Sequence, residues 1–186
     1  MRKAGVAQRL KRFRAAQGGA AAVEFAIILP FMLLLFVGSI EASSLITVDR
    51  RIDVISGTVG DLVARTRGTL SASKMTDYFQ ASQNIIYPYR SAGLKQVVSL
   101  VAVDSAGLTS VVWSCATNGG TKRAASSTYE LPAKMNTMAR GGWVVVSEAE
   151  YAYAPVLGIV FTSDVTLLGE SFYLPRYSDT IGAPSC

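Results

Sequence analysis

An apolar run near the N-terminus constrains this chain more than any other feature of its sequence. Residues 25–40 are sixteen consecutive uncharged residues, and residues 20–24 extend the run to twenty-one. At about 1.5 Å per residue, a helix of that length crosses a hydrocarbon core of roughly 30 Å. The sequence therefore predicts one transmembrane helix that contacts the lipid bilayer.

The charges in front of this run predict its orientation. Six basic residues and no acidic residue precede Gly19, and these are Arg2, Lys3, Arg9, Lys11, Arg12 and Arg14. The positive-inside rule keeps such a segment in the cytoplasm and sends the following chain across the membrane. We therefore expect a single-pass inner-membrane protein with a cytoplasmic N-terminus and a periplasmic C-terminal domain.

The same six residues account for the basic character of the chain. The chain has 18 Lys and Arg against 13 Asp and Glu, so its net charge is +5. Without the six leader residues the balance is 12 against 13, a net charge of −1. Because nucleic-acid binding requires a basic surface on the folded part, we expect no nucleic-acid partner.

Glu24 lies inside the apolar run, where a carboxylate costs roughly 2.5 to 3.5 kcal/mol on insertion scales. A secretory signal does not explain it, and the sequence Ile40-Glu41-Ala42 is a poor match to the small-x-small cleavage pattern. Two alternatives stay open, a plain uncleaved anchor and a glutamate that snorkels to the interface. Neither gives Glu24 a partner.

The residues around Glu24 resemble the processing site of type IV prepilins. After the basic leader, residues 19–25 read Gly-Ala-Ala-Ala-Val-Glu-Phe. In that family a membrane aspartyl peptidase cuts after the glycine, and the glutamate becomes the fifth residue of the mature chain. The run that follows, with Pro30 inside it and Glu41 at its end, is similar to the TadE/TadG-like pseudopilins of tight-adherence pilus systems. The resemblance is strongest over residues 15–65.

The resemblance implies a function, a set of partners and a set of site residues. Prepilin peptidase would cut between Gly19 and Ala20, and Glu24 and Phe25 would act in subunit assembly. The expected partners are other pilins and pseudopilins and the inner-membrane assembly platform. The protein would be a minor pseudopilin that contributes to pilus assembly or initiation and to surface adhesion. The alternative is an uncleaved single-pass anchor whose periplasmic domain binds an envelope or secretion-machine partner.

The residue types at this site also have physical reasons. A helix unwinds at low energetic cost at Gly18-Gly19, since glycine destabilises a helix by about 1 kcal/mol per position relative to alanine, and small alanines follow. Cleavage would free an ammonium at Ala20, one helical turn from Glu24, and the carboxylate could neutralise it within one subunit or between neighbours. Cleavage after Gly18 is the less favoured register. Pro30 removes one helix hydrogen bond and predicts a kink.

A second apolar pattern continues the helix beyond the membrane. Apolar residues recur at spacings of three and four, at Leu45, Val48, Ile52, Ile55, Val59 and Leu62. Such a stripe packs either against the protein's own domain or against neighbouring subunits. Gly57 and Gly60 would allow close approach, and the opposite face carries Asp49, Arg50, Asp53 and Asp61. We divide the chain into a leader (1–19), this helix (20–67) and a periplasmic domain (68–186).

The periplasmic domain is predicted to be α+β, and the resemblance implies a type IV pilin-like fold. Ser71 or Ser73 can cap a second helix that runs to about residue 86, with Met75, Phe79 and Ile86 facing inward. A small antiparallel sheet is expected from strands at 96–103, 108–115 and 143–153, with a fourth within 165–177. A short turn or helix follows Pro132. Four aromatic residues near the sheet are expected in the core: Trp113, Trp143, Tyr151 and Tyr153.

The predicted domain contains few residues that could act in catalysis or bind a metal. There is no histidine, and two cysteines cannot complete a four-ligand zinc site, so we expect no enzyme activity, metal or cofactor. Glu148 and Glu150 alternate on one strand, about 7 Å apart, and are expected on a solvated face. Cys115 and Cys186 lie on the outward side and are expected to form a disulfide, within or between chains, with free thiols as the alternative.

Overall fold

The computed structural model describes residues 5, 8–9, 11–13, 19–177 and 180–186. Most of the predicted leader, with Arg2, Lys3, Arg14 and Gly18, lies outside the described residues. The fold is α+β: a long helix is followed by a smaller domain with a second helix and a four-stranded antiparallel sheet.

Helix α1 is the longest element and spans Ala20–Ala64. It begins after Gly19 at its N-cap and ends at Arg65, whose backbone N–H donates to the carbonyl of Asp61 at 3.1 Å. The helix therefore ends three residues before the predicted boundary at residue 67. The continuation of the membrane run into one uninterrupted helix is confirmed.

Helix α2 spans Ala72–Ile86 and packs beside α1. Its N-cap is Ser71, whose hydroxyl accepts a hydrogen bond from the Lys74 N–H at 3.3 Å, so the first of the two predicted caps is the one used. The inward residues predicted for this helix, Met75, Phe79 and Ile86, are all buried.

The sheet contains four antiparallel strands in the order β2-β1-β3-β4. Their bounds are Leu94–Val103 for β1, Thr109–Thr117 for β2, Gly142–Tyr153 for β3 and Val165–Tyr173 for β4. Helix α3, Ala133–Met138, follows Pro132. All four predicted strands are confirmed, with ends that shift by at most two residues.

The second half of α1 packs against the sheet of the same chain. Its buried apolar side chains continue along one face, at Val48, Ile52, Ile55, Val59 and Val63. The stripe thus serves the protein's own core, the first of the two predicted alternatives. Leu62, predicted in the stripe, is only half-buried, because a straight helix of 3.6 residues per turn drifts away from a strict seven-residue repeat.

Asp61, predicted on the face of α1 opposite the apolar stripe, forms ion pairs instead. Asp61 is half-buried and forms ion pairs with Arg65, one turn along the helix, and with Arg176, which follows β4. Asp49, Arg50 and Asp53 are exposed, as predicted. The contact to Arg176 ties the last turn of α1 to the segment after the sheet.

Glycines bring α1 close to the sheet. A Cβ on Gly60 would lie 2.8 Å from the Tyr173 ring, and a Cβ on Gly169 would lie 2.9 Å from the carbonyl oxygen of Ile52. Both distances are too short for a side chain, so helix and sheet approach through glycine on each surface.

A register shift in the β1–β2 pair lets β2 contribute to two cores. Leu100 pairs with Trp113 but Val101 pairs with Val111, so Val112 has no partner. Trp113 therefore packs under the helices, while Val111 packs on the other face with Val101. Of the predicted core aromatics, Trp113, Tyr151 and Tyr153 are buried and Trp143 is half-buried against the core.

The C-terminal tail is fixed to the domain by backbone pairing and a disulfide. Gly182 pairs with Thr69, the carbonyl of Ile181 accepts a hydrogen bond from the Trp113 indole N–H at 2.8 Å, and the Ile181 side chain is buried. Cys115 and Cys186 form the expected disulfide within one chain, with their Cα atoms 5.7 Å apart.

Candidate functional site

The first half of α1, residues 20–40, has almost no contact with the rest of the chain. This half is strongly apolar and contains no buried residue. Only Val37 and Gly38 within it are half-buried, and the other residues are exposed. An apolar surface this large needs a partner outside the chain. By length and composition α1 is a candidate membrane span.

The predicted processing and assembly residues lie at the N-terminal end of this helix. Gly19 is its N-cap, Ala20 is its first residue, and Glu24 and Phe25 follow one turn later. All four are exposed, and a Cβ on Gly19 would meet no atom within 4 Å. Helix α1 thus brings these residues together on an accessible helix terminus.

Glu24 takes part in none of the four ion pairs found among the described residues. The predicted partner is the ammonium that cleavage would create at Ala20, and an intact chain has a peptide bond there. In a helix the two residues are one turn apart, which is the spacing at which side chains meet. The pairing of Glu24 stays a prediction.

Pro30 lies inside α1, which continues through it without interruption. Since proline has no N–H, the carbonyl of Ala26 lacks its usual helix donor. Membrane helices tolerate such a position when other groups satisfy the backbone. The kink expected at Pro30 stays a prediction.

Glu41 joins the free half of α1 to the folded domain. It is the first charged residue after Glu24, and only 2% of it is exposed. Its carboxylate accepts three backbone hydrogen bonds from the segment between β3 and β4, at 3.0 Å from Ile159, 3.0 Å from Val160 and 2.9 Å from Phe161. The Glu41 side chain therefore holds residues 159–161 of this segment against the helix.

These hydrogen bonds also favour the charged form of the glutamate. The N–H groups of Phe161 and Ile159 contribute most, and together the loop amides hold the pKa of the Glu41 carboxyl below its usual value, while burial acts in the opposite direction. The carboxylate is therefore ionised at neutral pH and acts as a fixed acceptor.

The loop that Glu41 holds is unusually apolar. Residues 154–164 connect β3 to β4, and we call them the β3–β4 loop. Their sequence has no charge before Asp164, and their exposed apolar side chains are Val156, Leu157, Ile159 and Val160. Val160 reaches back to α1, where a Cβ built on Gly38 would lie 3.5 Å from its Cγ2.

The sequence prediction missed this contact between Glu41 and the loop. It assigned Glu41 only to the end of the apolar run and said nothing of residues 154–164. A signal was present, since an uncharged apolar stretch in the middle of a small domain is unusual outside a strand or helix. The pairing itself required the fold, because 118 positions separate Glu41 from Ile159.

The two strand glutamates expected on a solvated face are in fact paired. Glu150 lies 2.8 Å from the Lys95 ammonium, and Glu148 forms an ion pair with Arg123. Beside them the Tyr129 hydroxyl donates to Glu170, and burial and this hydrogen bond raise the Tyr129 pKa. The residues lie on the sheet face opposite α1. Because both carboxylates have cationic partners, the geometry does not present two free acids.

Among the described residues, no group of three or more His, Cys, Asp or Glu is arranged to hold a metal ion. The features that stand out are therefore the free helix half and the Glu41 contact. Together with the α+β domain they define a candidate single-pass membrane protein with one folded domain.

Comparison with known protein families shows what the helix of this protein is similar to. Residues 19–53 match the family model described as TadE-like protein. The match confirms the resemblance over that segment and suggests a protein associated with the Tad pilus. No curated protein matches the chain, and no solved structure matches it.

The match begins at the N-cap of α1 and ends within its packed half. It contains every predicted residue of the helix site: Gly19, Ala20, Glu24, Phe25 and Pro30. Glu41 also lies inside it, whereas the β3–β4 loop and the whole sheet lie outside. The family similarity therefore covers the first part of the helix, to residue 53, and not the sheet of the domain.

Proposed function

We propose that this protein is a minor pseudopilin of a tight-adherence pilus. It would insert in the inner membrane through residues 20–40, with its N-terminus in the cytoplasm and its folded domain in the periplasm. Prepilin peptidase would cut it after Gly19, and the mature protein would contribute to pilus assembly or initiation and so to adhesion. The observation that carries this proposal is the exposed apolar helix half that starts at Gly19, where the TadE-like match also starts.

The helix terminus supports processing. A membrane protease needs backbone that leaves the helical conformation, and the residues at the cut are the N-cap glycine and three alanines. Gly19 is exposed, and a Cβ built on it would meet no atom of the described residues within 4 Å. The peptidase would therefore meet an accessible bond between Gly19 and Ala20.

The division of α1 into two halves supports assembly. One face of the second half is buried against its own sheet, so that apolar face is not available to a neighbouring subunit. The first half is exposed except at Val37 and Gly38, and apolar helices with exposed surfaces associate by side-chain packing. Pilins, other pseudopilins and the assembly platform would therefore contact residues 20–40.

Glu24 would set the register of that association. A carboxylate in an apolar environment favours a position beside a cation, and a cleaved neighbour supplies its terminal ammonium at Ala20. A subunit displaced along the helix axis would leave both charges unpaired in a medium that solvates them poorly. Pairing would thus select one axial position.

A charge-neutral replacement of Glu24 tests the proposal. Glu24→Gln should still insert and be cleaved, but it should be depleted from the sheared pilus fraction or from the isolated assembly complex. Asp49→Asn is the matched control, because it removes an exposed carboxylate from the same helix outside the apolar run. Equal recovery of both variants with the pilus would contradict the proposed pairing.

A further inference from the structure

The β3–β4 loop forms a second apolar surface that no sheet or helix of the domain covers. Val156 is 75% exposed, and Leu157, Ile159 and Val160 are exposed beside it. Four consecutive or near-consecutive exposed aliphatic residues are not typical of a loop in water, where polar residues predominate. The surface requires a partner.

We propose that the β3–β4 loop is a second membrane-contact element, which inserts its aliphatic side chains among lipids at the interface beside α1. The occupant of this apolar surface would be the phospholipid bilayer, at the boundary between headgroups and acyl chains. The protein would then contact the membrane through one spanning helix and one shallow loop.

The position of the loop supports this occupant. Glu41 and Gly38, which contact the loop, lie at the end of the apolar run of α1. The exposed apolar surface of the loop is therefore continuous with the exposed apolar surface of the candidate span. A domain that leaves the bilayer at Glu41 would bring this loop to the membrane surface without any rearrangement.

Hydrogen bonds to Glu41 lower the energetic cost of placing the irregular backbone of the loop near lipid. Irregular backbone is excluded from lipid because unpaired N–H and C=O groups are costly there. Three successive N–H groups of the loop, at residues 159, 160 and 161, already donate to the Glu41 carboxylate. Glu41 thus satisfies three backbone N–H groups in the part of the loop that lies against α1, and these groups satisfy the carboxylate.

The charge pattern agrees with a shallow depth. Residues 154–163 carry no charge, and Asp164 follows where the chain returns to β4. Amphipathic helices that lie in the interface bury an apolar face about 5 to 10 Å into the headgroup and acyl boundary, and we expect a similar depth for this short loop. The loop would therefore reach the interface and would not cross it.

Fluorescence quenching by lipids tests the inference on the full chain in proteoliposomes. An environment-sensitive dye is attached to a single added cysteine, without reductant, so that the native disulfide stays intact. The tested position is Val156→Cys. The matched control is Leu108→Cys, an aliphatic residue that is 72% exposed in the turn between β1 and β2, at the opposite end of the sheet. Leu34→Cys, in the candidate span, reports insertion of α1.

Lipids with a quencher attached near the headgroup should reduce the emission of the Val156 probe at least about twofold and should leave the Leu108 probe unchanged. Lipids with a quencher on the acyl chain should quench the Leu34 probe. The inference rests on the proposed membrane insertion, and the Leu34 probe separates the two. Quenching at Leu34 without quenching at Val156 would overturn the loop proposal and leave the span. No quenching at Leu34 would overturn both. A Val156 probe that is shielded from water but not quenched by lipid would show contact with another protein, which also overturns the proposal.

Discussion

Two alanine substitutions in α1 test how closely the helix approaches the sheet of its own chain. Gly57 and Gly60 lie three residues apart in the packed half of the helix. Alanine is favoured over glycine by about 1 kcal/mol in a helix interior, and this gain applies at both positions. Any difference between the two variants therefore reports the contacts of the added methyl group.

The contacts of that methyl group differ sharply. At Gly60 it would lie 2.8 and 2.9 Å from two carbons of the Tyr173 ring and 3.2 Å from the Ser147 Cβ. At Gly57 the nearest atom, the Tyr173 hydroxyl, is 3.4 Å away, which is ordinary contact. Overpacking typically costs about 1 to 3 kcal/mol. Gly60→Ala should therefore be less stable than Gly57→Ala by about that amount.

Urea unfolding of the full chain in detergent micelles measures the difference, with tryptophan fluorescence as the signal because Trp113 is in the same core. Gly57→Ala should unfold at or above the urea concentration of the natural protein, and Gly60→Ala below it. Adding Tyr173→Ala should reduce the difference, since the two closest contacts are then gone and the Ser147 Cβ at 3.2 Å remains. Equal unfolding midpoints of the two single variants would refute the close approach and reopen packing against a neighbouring subunit.

Two further outcomes are expected from the domain. Cys186→Ser removes the disulfide to Cys115 and should lower the free energy of unfolding by about 4 kcal/mol, from the entropy of a closed loop of 71 positions; two thiols that react with an alkylating agent in unreduced, unfolded protein would contradict the bridge. The pKa of Glu41 is lower in the folded protein than its ordinary value near 4.5. The stability that its carboxylate gives the folded loop is therefore present above pH 4.5 and is lost as the pH falls through the lowered pKa. Amide hydrogen exchange in the β3–β4 loop, corrected for intrinsic rates, should therefore accelerate in acid, and Glu41→Gln should abolish this pH dependence. Exchange that is equally acid-sensitive in the Glu41→Gln variant would contradict the role of Glu41.

The parts of the fold that were predictable from sequence are those governed by local patterns. Hydrophobic runs and turn residues located the helices and strands, and spacing predicted the buried face of α2 but left Ser71 and Ser73 as two possible caps. Leu62 shows the limit of such patterns. A repeat of three and four matches a seam only over short distances, so Val63 and not Leu62 is buried at the end of α1.

The contacts that were not predictable join residues far apart in the chain. Glu41 meets the β3–β4 loop, Glu148 meets Arg123, and Asp61 meets Arg176, each across a distance that no local period encodes. Of the candidate site, the helix terminus was predictable because its motif is contiguous. The buried acceptor role of Glu41 depended on the position of the sheet, which the sequence does not state.

Mass determination of the protein extracted from membranes of cells with an active prepilin peptidase tests the central claim most directly. The proposed pseudopilin predicts a mature chain that begins at Ala20 and lacks the basic leader. Replacement of Gly19 by a bulky residue should leave that leader attached, as should loss of the peptidase. An intact chain that begins at Met1 in cells with active peptidase would contradict processing, and with it the account of Glu24 as the partner of a freed ammonium.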